Sequence, residues 1–243
     1  MDRDEGLARL QALGFELRDA GTLWEHFDDA EQRGKTSHGY ARIEWLESLQ
    51  GFDPRAMPVD VVTDEGYWRR DAAGTIGYIA VRATLIRCLQ DPPEHARLVV
   101  IENCFPTGML GHYARLAAAD GFVSVLTATS PPRLGPPGGP KVAGTNPLAI
   151  GIPSSDGRSV VADVSMGAVT WGDVVAGNAS EDDLVPFGGE QWHKALALAL
   201  GLQLLVDALV SRPGHGVVLL VARPEADPVP QLRSLAIRLP GDA

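Results

Sequence analysis

Residues 98–126, LVVIENCFPTGMLGHYARLAAADGFVSVL, decide the fold class. Leu98-Val99-Val100-Ile101 is a compact apolar run of strand length, the pattern of a central strand covered on both faces. Thr107 to Asp120 reads as a helix, and Gly121 closes it. Phe122 to Leu126 is a second short apolar strand. A strand, a helix and a strand in succession predict a mixed α/β body.

Toward the N-terminus, Ile76 to Gln90 has helical period. Val59 to Val62 and Gly66 to Trp68 read as short strands around a turn at Asp64-Glu65-Gly66. Before them the pattern is helical throughout. Leu7, Leu10 and Leu13 share one helix face. Ala20 to Arg33 places Leu23, Phe27 and Ala30 on one side and ends at Gly34. Thr36 or Ser37 caps a third helix to about Leu49, with Ile43, Leu46 and Leu49 inward. This predicts a helical N-terminal subdomain over residues 1–53 and a mixed α/β body over 58–235.

Toward the C-terminus, Ser130 to Gly139 holds four prolines and three glycines, a density that no helix or sheet interior accepts. Strands follow at Leu148–Ile152 and Val160–Asp163, then a long helix from about Glu190 to Leu209 and a last strand at Val217–Val221. Within that helix Ala195 to Val210 is the most apolar stretch of the chain. Interrupted by Gln203 and Asp207, it reads as too short to span a bilayer and as a buried helix.

Composition narrows the partners. The 243 residues are 45% hydrophobic and 21% charged, which fits a packed core and not a disordered chain. The net charge of −10 repels phosphate backbones and anionic lipid heads, so neither nucleic acid nor a membrane surface is expected as a partner. Cys88 and Cys104 are the only cysteines and lack metal-ligand spacing. No metal is expected. The acidic start Met1-Asp2-Arg3-Asp4-Glu5 has no apolar run behind it, which together with the cysteine usage points to the cytoplasm.

No Gly-x-Gly-x-x-Gly links a strand to a helix, and no Gly-x-x-x-x-Gly-Lys occurs. A bound dinucleotide would need another geometry. Four motifs carry candidate chemistry. In Thr36-Ser37-His38-Gly39-Tyr40-Ala41-Arg42, a helix start would lower the His38 pKa, and Arg42 one turn on could hold a carboxylate. The same residues also read as a Ser cap with a surface His and a solvated Arg. Gly144-Thr145-Asn146-Pro147 reads as a turn or as a ligand loop. Asp163 ends an apolar strand, where it orients a histidine or simply starts a turn. Gly188-Gly189 before the long helix exposes backbone N–H groups to an anion or is an ordinary loop.

The order of these motifs resembles the malate/L-lactate dehydrogenase family of non-Rossmann oxidoreductases. The likeness runs from about Leu7 to Val221 and is most specific at Gly144-Thr145-Asn146-Pro147-Leu148-Ala149-Ile150. It implies a non-Rossmann nicotinamide-binding body, NADPH or NADH as cofactor, a homodimer, and hydride transfer to or from a small 2-oxo acid, 2-hydroxy acid or cyclic imino acid. By resemblance, Ser37, His38 and Asp163 match the catalytic positions and Arg42 the substrate-carboxylate position. Gly144, Thr145, Asn146, Gly188 and Gly189 match cofactor-side positions.

Two departures matter. Pro106 stands where hydroxy-acid relatives carry an acid/base His, and Gln191 stands where the family has a Lys. Losing that His while keeping Ser37, His38 and Asp163 favours reduction of a C=N bond, with His38 as proton donor. A 2-oxo-acid or 2-hydroxy-acid dehydrogenase using His38 is the first alternative. A scaffold that has lost hydride transfer and acts as a binding or non-redox biosynthetic protein is the second.

Overall fold

The computed structural model describes residues 1–235 and 237–241. Its centre is a seven-stranded sheet. The strands in chain order are β1 (Val59–Asp64), β2 (Tyr67–Asp71), β3 (Ala96–Glu102), β4 (Val123–Ala128), β5 (Leu148–Ile152), β6 (Val160–Val164) and β7 (Val217–Ala222). Their spatial order is β1-β2-β3-β7-β4-β5-β6. Only β2 and β3 run parallel; every other pair is antiparallel. Strand direction, which no sequence pattern reveals, makes this a mixed sheet and not a doubly wound one.

The last strand in sequence sits in the middle of the sheet, between β3 and β4. Alternation along β3 explains how it is covered. Val99 and Ile101 point into the core shared with helices α4 (Gly77–Gln90) and α5 (Leu110–Ala119). Leu98 and Val100 face the opposite side, toward Val206 and Leu209 of α7 (Trp192–Leu209). Period-two side chains feed two separate helix layers.

The N-terminal helices α1 (Arg3–Ala12), α2 (Leu17–Gln32) and α3 (Ala41–Ser48) bury Leu10, Leu23, Phe27, Ile43 and Leu46 in a cluster of their own. Ile76, Tyr78 and Ile79 complete that cluster, so it packs directly on the beginning of α4. Helix α6 (Trp171–Val175) and α8 (Val229–Arg233) are single short turns near the surface.

Two expectations are corrected. Residues 36–38 form a 3-10 turn, and α3 starts only at Ala41 with no side-chain cap. Neither Thr36 nor Ser37 caps it, because the chain turns again at Gly39 before the helix begins. The apolar stretch of α7 is not buried. Ala195, Leu196, Ala199 and Val206 are covered, while Leu198, Leu204 and Leu205 are 51%, 65% and 45% exposed. Hydropathy counts apolar residues but not the surfaces available to cover them, and the sheet meets one side only. With its 3-10 lead-in the helix spans Gly189–Leu209, long and apolar enough by length and composition to cross a membrane. Here it lies along the sheet, tied down by Asn146 Nδ2, which donates to the Ala199 carbonyl and to Gln203 Oε1 at 3.0 Å each.

Candidate active site

The link from α2 to α3 is drawn tight by its own backbone. Lys35 N donates to Ala30 O at 2.9 Å, and His38 N donates to Lys35 O at 2.8 Å. Gly39 has no Cβ, which leaves room for the Glu31 carboxylate that accepts from Tyr40 N at 3.2 Å. The turn presents Ser37, His38 and, from the first turn of α3, Arg42 to a cavity of about 420 Å³. The opposite wall is the segment leading into α5, with Pro106, Thr107 and Gly108. Thr129 and Ser130 beyond β4, Thr145, Asp163 near the end of β6, and Trp171 to Asp173 close the rest.

Arg42 is the most informative residue. It is only 6% exposed, and its Nε has no hydrogen-bond partner. Among the described residues no carboxylate pairs with it, and its guanidinium lies 4.9 Å over the Trp45 ring. A buried, unpaired cation is costly unless something from outside completes it. Arg133 adds a second cation to the same cavity, stacked 3.2 Å over the Trp171 ring.

His38 opens onto the cavity yet is enclosed by protein. Removal from bulk water pushes its pKa down to about 3; nearby Arg42 adds to this and Asp173 opposes it. The shift has the direction expected from the motif but a different cause, since no α-helix starts at His38. Ser37 Oγ lies 3.2 Å from His38 Nδ1.

Asp163 shares the cavity, but the bond it makes runs to α5: its Oδ2 accepts from Gly111 N at 2.9 Å. Burial raises its pKa, against the pull of that N–H. The carboxylate whose charge opposes the shift of His38 is Asp173, carried by α6, which packs against the turn of residues 36–38. Asp173 caps α6 through Thr170, and Thr-x-x-Asp in the sequence announces only that cap. No local pattern could have placed residues 173 and 37 in one cavity.

The cofactor-side residues divide. Thr145 lines the cavity. Gly144 does not; a Cβ there would strike the Ser130 backbone. Asn146 is fully buried, and its side chain secures α7 and accepts from Ser130 N at 3.3 Å. This loop therefore positions Ser130, while Gly188 and Gly189 lie in an exposed turn away from the cavity.

Ser130 also lines a second, more open cavity together with Arg212, Gly214, His215 and Asp207. Ser130 Oγ and His215 Nδ1 are buried without partners. Two cavities that share Ser130, with an unpaired hydroxyl there, an unpaired ring nitrogen at His215 and cations in both, fit an elongated anionic dinucleotide, with Asp207 the opposing charge in the second.

Behind the α5 wall lies a pair of histidines, His26 and His112. His26 Nε2 accepts from Met109 N at 3.0 Å, and His112 Nδ1 bonds Asp29 Oδ2 at 2.9 Å. Burial lowers the pKa of both, and His38 is lowered likewise. A histidine whose folded pKa lies below its unfolded value withholds a proton that the unfolded chain accepts. Stability is then intact above about pH 6.5 and falls as pH drops toward the folded values, by up to about 1.4 kcal/mol per pH unit for each histidine. Urea midpoints measured at pH 7.5, 6.0 and 5.0 should fall in that order. A flat profile across this range would mean that these rings are protonated in the fold.

Comparison with known proteins bears on this geometry. The malate/L-lactate dehydrogenase family model matches residues 5–184. The L-sulfolactate dehydrogenase of Methanothermobacter thermautotrophicus is 27% identical over 227 residues, covering 81% of this chain and 65% of that protein. The Δ1-pyrroline-2-carboxylate/Δ1-piperideine-2-carboxylate reductase of Pseudomonas syringae pv. tomato is 28% identical over 232 residues, covering 78% and 63%. The chain thus spans less than two thirds of the length of these two curated relatives. The crystal structure of Δ1-piperideine-2-carboxylate reductase from Pseudomonas syringae superposes with a TM-score of 0.80 at 24% identity, covering 99% of this chain and 89% of that one.

Proposed function

This chain belongs to the malate/L-lactate dehydrogenase family, and from that premise we propose that it reduces the C=N bond of a small, carboxylated, cyclic imine with NADPH or NADH. One observation carries the proposal: the unpaired Arg42 guanidinium shares a cavity with the Ser37–His38 pair and with Pro106, the position at which the family resemblance implies an acid/base histidine in hydroxy-acid members. A carboxylate would complete Arg42 through two parallel hydrogen bonds. That fixes the substrate's position relative to His38, which faces the reacting nitrogen. The bound dinucleotide would supply a hydride. Ser130, Thr145 and His215 are the donors that would hold it, with Arg133 and Arg212 as the available cations. A homodimer in the cytoplasm belongs to the same reading, and the exposed leucines of α7 offer a second copy an apolar face.

Reduction of a 2-oxo acid is a second reading, favoured by Asp163. Its raised pKa makes it the carboxyl in the cavity best suited to hold a proton for an oxygen. Purified protein supplied with NADPH or NADH is expected to turn over Δ1-piperideine-2-carboxylate faster than pyruvate or oxaloacetate. The reverse preference would favour the second reading. Fluorescence titration separates both from a scaffold without hydride chemistry, which would bind neither NADH nor NADPH.

A further inference from the structure

The first turn of α5 carries no cap of its own. Met109 N and Gly111 N lie too near the helix start for carbonyl partners within it, and the N-cap side chain serves neither. Two side chains from distant parts of the chain do. Met109 N donates to His26 Nε2 at 3.0 Å, and Gly111 N donates to Asp163 Oδ2 at 2.9 Å. His26 belongs to α2 and is buried; Asp163 belongs to β6 and lines the cavity. One helix turn is thus held by two different elements, and only one of its holders reaches the cavity.

The hold of α2 has a second point. Asp29, three residues on from His26 and on the same helix face, accepts from Arg115 Nε at 3.2 Å and bonds His112 Nδ1 at 2.9 Å. The His26 and His112 rings lie 4.6 Å apart. Because His26 Nε2 accepts from Met109 N, the neutral ring carries its own proton on Nδ1. At the other holder, a Cβ on Gly111 would lie 2.8 Å from Asp163 Oδ2, so glycine is what lets the carboxylate reach the N–H.

We infer that His26 is a positioning residue: by holding Met109 N it seats the first turn of α5 so that the Gly111 N–H stays on the Asp163 carboxylate inside the cavity. Without that acceptor the buried Met109 N–H must turn toward water, and Gly111, two residues on, moves with it. A backbone N–H favours the ionised carboxylate, so its loss makes Asp163 a weaker acid. Burial already pushes Asp163 that way, and Lys35 and Arg115 pull against it together with Gly111 N. Around His26 stand Tyr78 of α4, His112, Tyr113 and Arg115 of α5, Asp29 on its own helix, and His38. Burial, the two other histidines and Arg115 outweigh Asp29 and keep the ring uncharged, which leaves Nε2 able to accept at neutral pH.

The consequence for chemistry rests on the imine reading. A protonated imine brings a positive charge into the cavity, and an ionised Asp163 balances it. A keto oxygen needs a proton, which Asp163 can give only after it has taken one up. His26, outside the cavity, thereby tilts the site toward C=N.

Full-length protein without substrate or cofactor tests the inference. Carboxyl-carbon titration of aspartate-labelled protein reads Asp163, whose signal is identified by its loss in Asp163→Asn. Asp163 should be about tenfold weaker as an acid in His26→Leu, which has no acceptor, and in Gly111→Ala, whose Cβ displaces the carboxylate. His26→Gln, whose amide oxygen reaches about as far as Nε2, should keep the parent acidity within about twofold. The parent should also show a nitrogen–nitrogen scalar coupling between Met109 N and His26 Nε2 across their hydrogen bond. If His26→Leu is insoluble, His26→Asn, whose amide stops short of Met109 N, takes its place with the same expectation. No coupling in the parent, unchanged Asp163 acidity in His26→Leu or Gly111→Ala, or a His26→Gln that titrates like His26→Leu overturns the inference. The kcat/KM ratio of Δ1-piperideine-2-carboxylate to pyruvate should fall about tenfold in His26→Leu. A ratio that stays put while Asp163 weakens overturns the tilt toward C=N. A parent that shows the coupling and the acidity changes but reduces no imine keeps the role of His26 and overturns the imine reading.

Discussion

Arg42→Met is expected to raise KM for the carboxylated substrate about 100-fold while the folded protein loses no stability. The guanidinium is 6% exposed, has an unpartnered Nε and has no carboxylate paired with it among the described residues. Two charge-assisted hydrogen bonds to a substrate carboxylate, net of the water they replace, contribute about 3 kcal/mol, which is near two decades of affinity. Methionine reproduces the aliphatic stem but ends about where Nε lies, so the guanidinium stacking on Trp45 is given up together with the charge. In the unliganded protein it removes a charge that nothing compensates, so the urea midpoint should hold or rise. Steady-state kinetics with Δ1-piperideine-2-carboxylate check the first part and denaturation the second. A KM within threefold of the parent would remove Arg42 from the substrate site. A marked loss of stability would show that the guanidinium has a structural partner in the fold.

Gly108→Ala is expected to have the opposite character, a large loss of stability that takes activity with it. Gly108 has φ +70°, and a Cβ there would penetrate both the Tyr78 ring and His26 Nε2. Neither neighbour can retreat. Tyr78 is 2% exposed within the N-terminal cluster, and His26, 1% exposed, accepts from Met109 N. Left-handed strain and overpacking each cost about 1–3 kcal/mol, giving roughly 3–5 kcal/mol together. Gly108 also immediately precedes Met109 and α5, so its displacement would disturb the Gly111 N–H that holds Asp163. Soluble yield and urea midpoint measure the effect. A midpoint corresponding to less than about 1 kcal/mol of loss would show that the wall of the cavity before α5 is more pliable than its burial indicates.

These two residues illustrate how differently the chain discloses its site. Arg42 stands four residues beyond His38, and that local spacing suffices to propose a shared pocket, although the chain between them is a turn and not a helix. Gly108 is one glycine among many until the fold brings α2 and α4 against it. Asp173 is more extreme still. In sequence it caps a short helix, and only the approach of α6 to the turn of residues 36–38 brings it to the cavity. Gly144 and Asn146, read from the sequence as cofactor-side positions, lie behind the cavity wall, where Asn146 holds Ser130 and α7.

Periodicity, turn chemistry and motif order are written locally in the chain. From them come the helical beginning, the strands and helices of the body, the family resemblance and the gathering of Ser37, His38 and Arg42. Each depends on residues a few positions apart, where backbone geometry sets which side chains share a face. Three outcomes had to wait for the assembled fold: β7 enters the middle of the sheet, α7 leaves leucines uncovered, and Asp173 joins Asp163 in the cavity. Those outcomes depend on which distant surfaces meet once apolar area is buried. Burial, unlike hydropathy, belongs to the whole packed molecule and not to any segment of the chain.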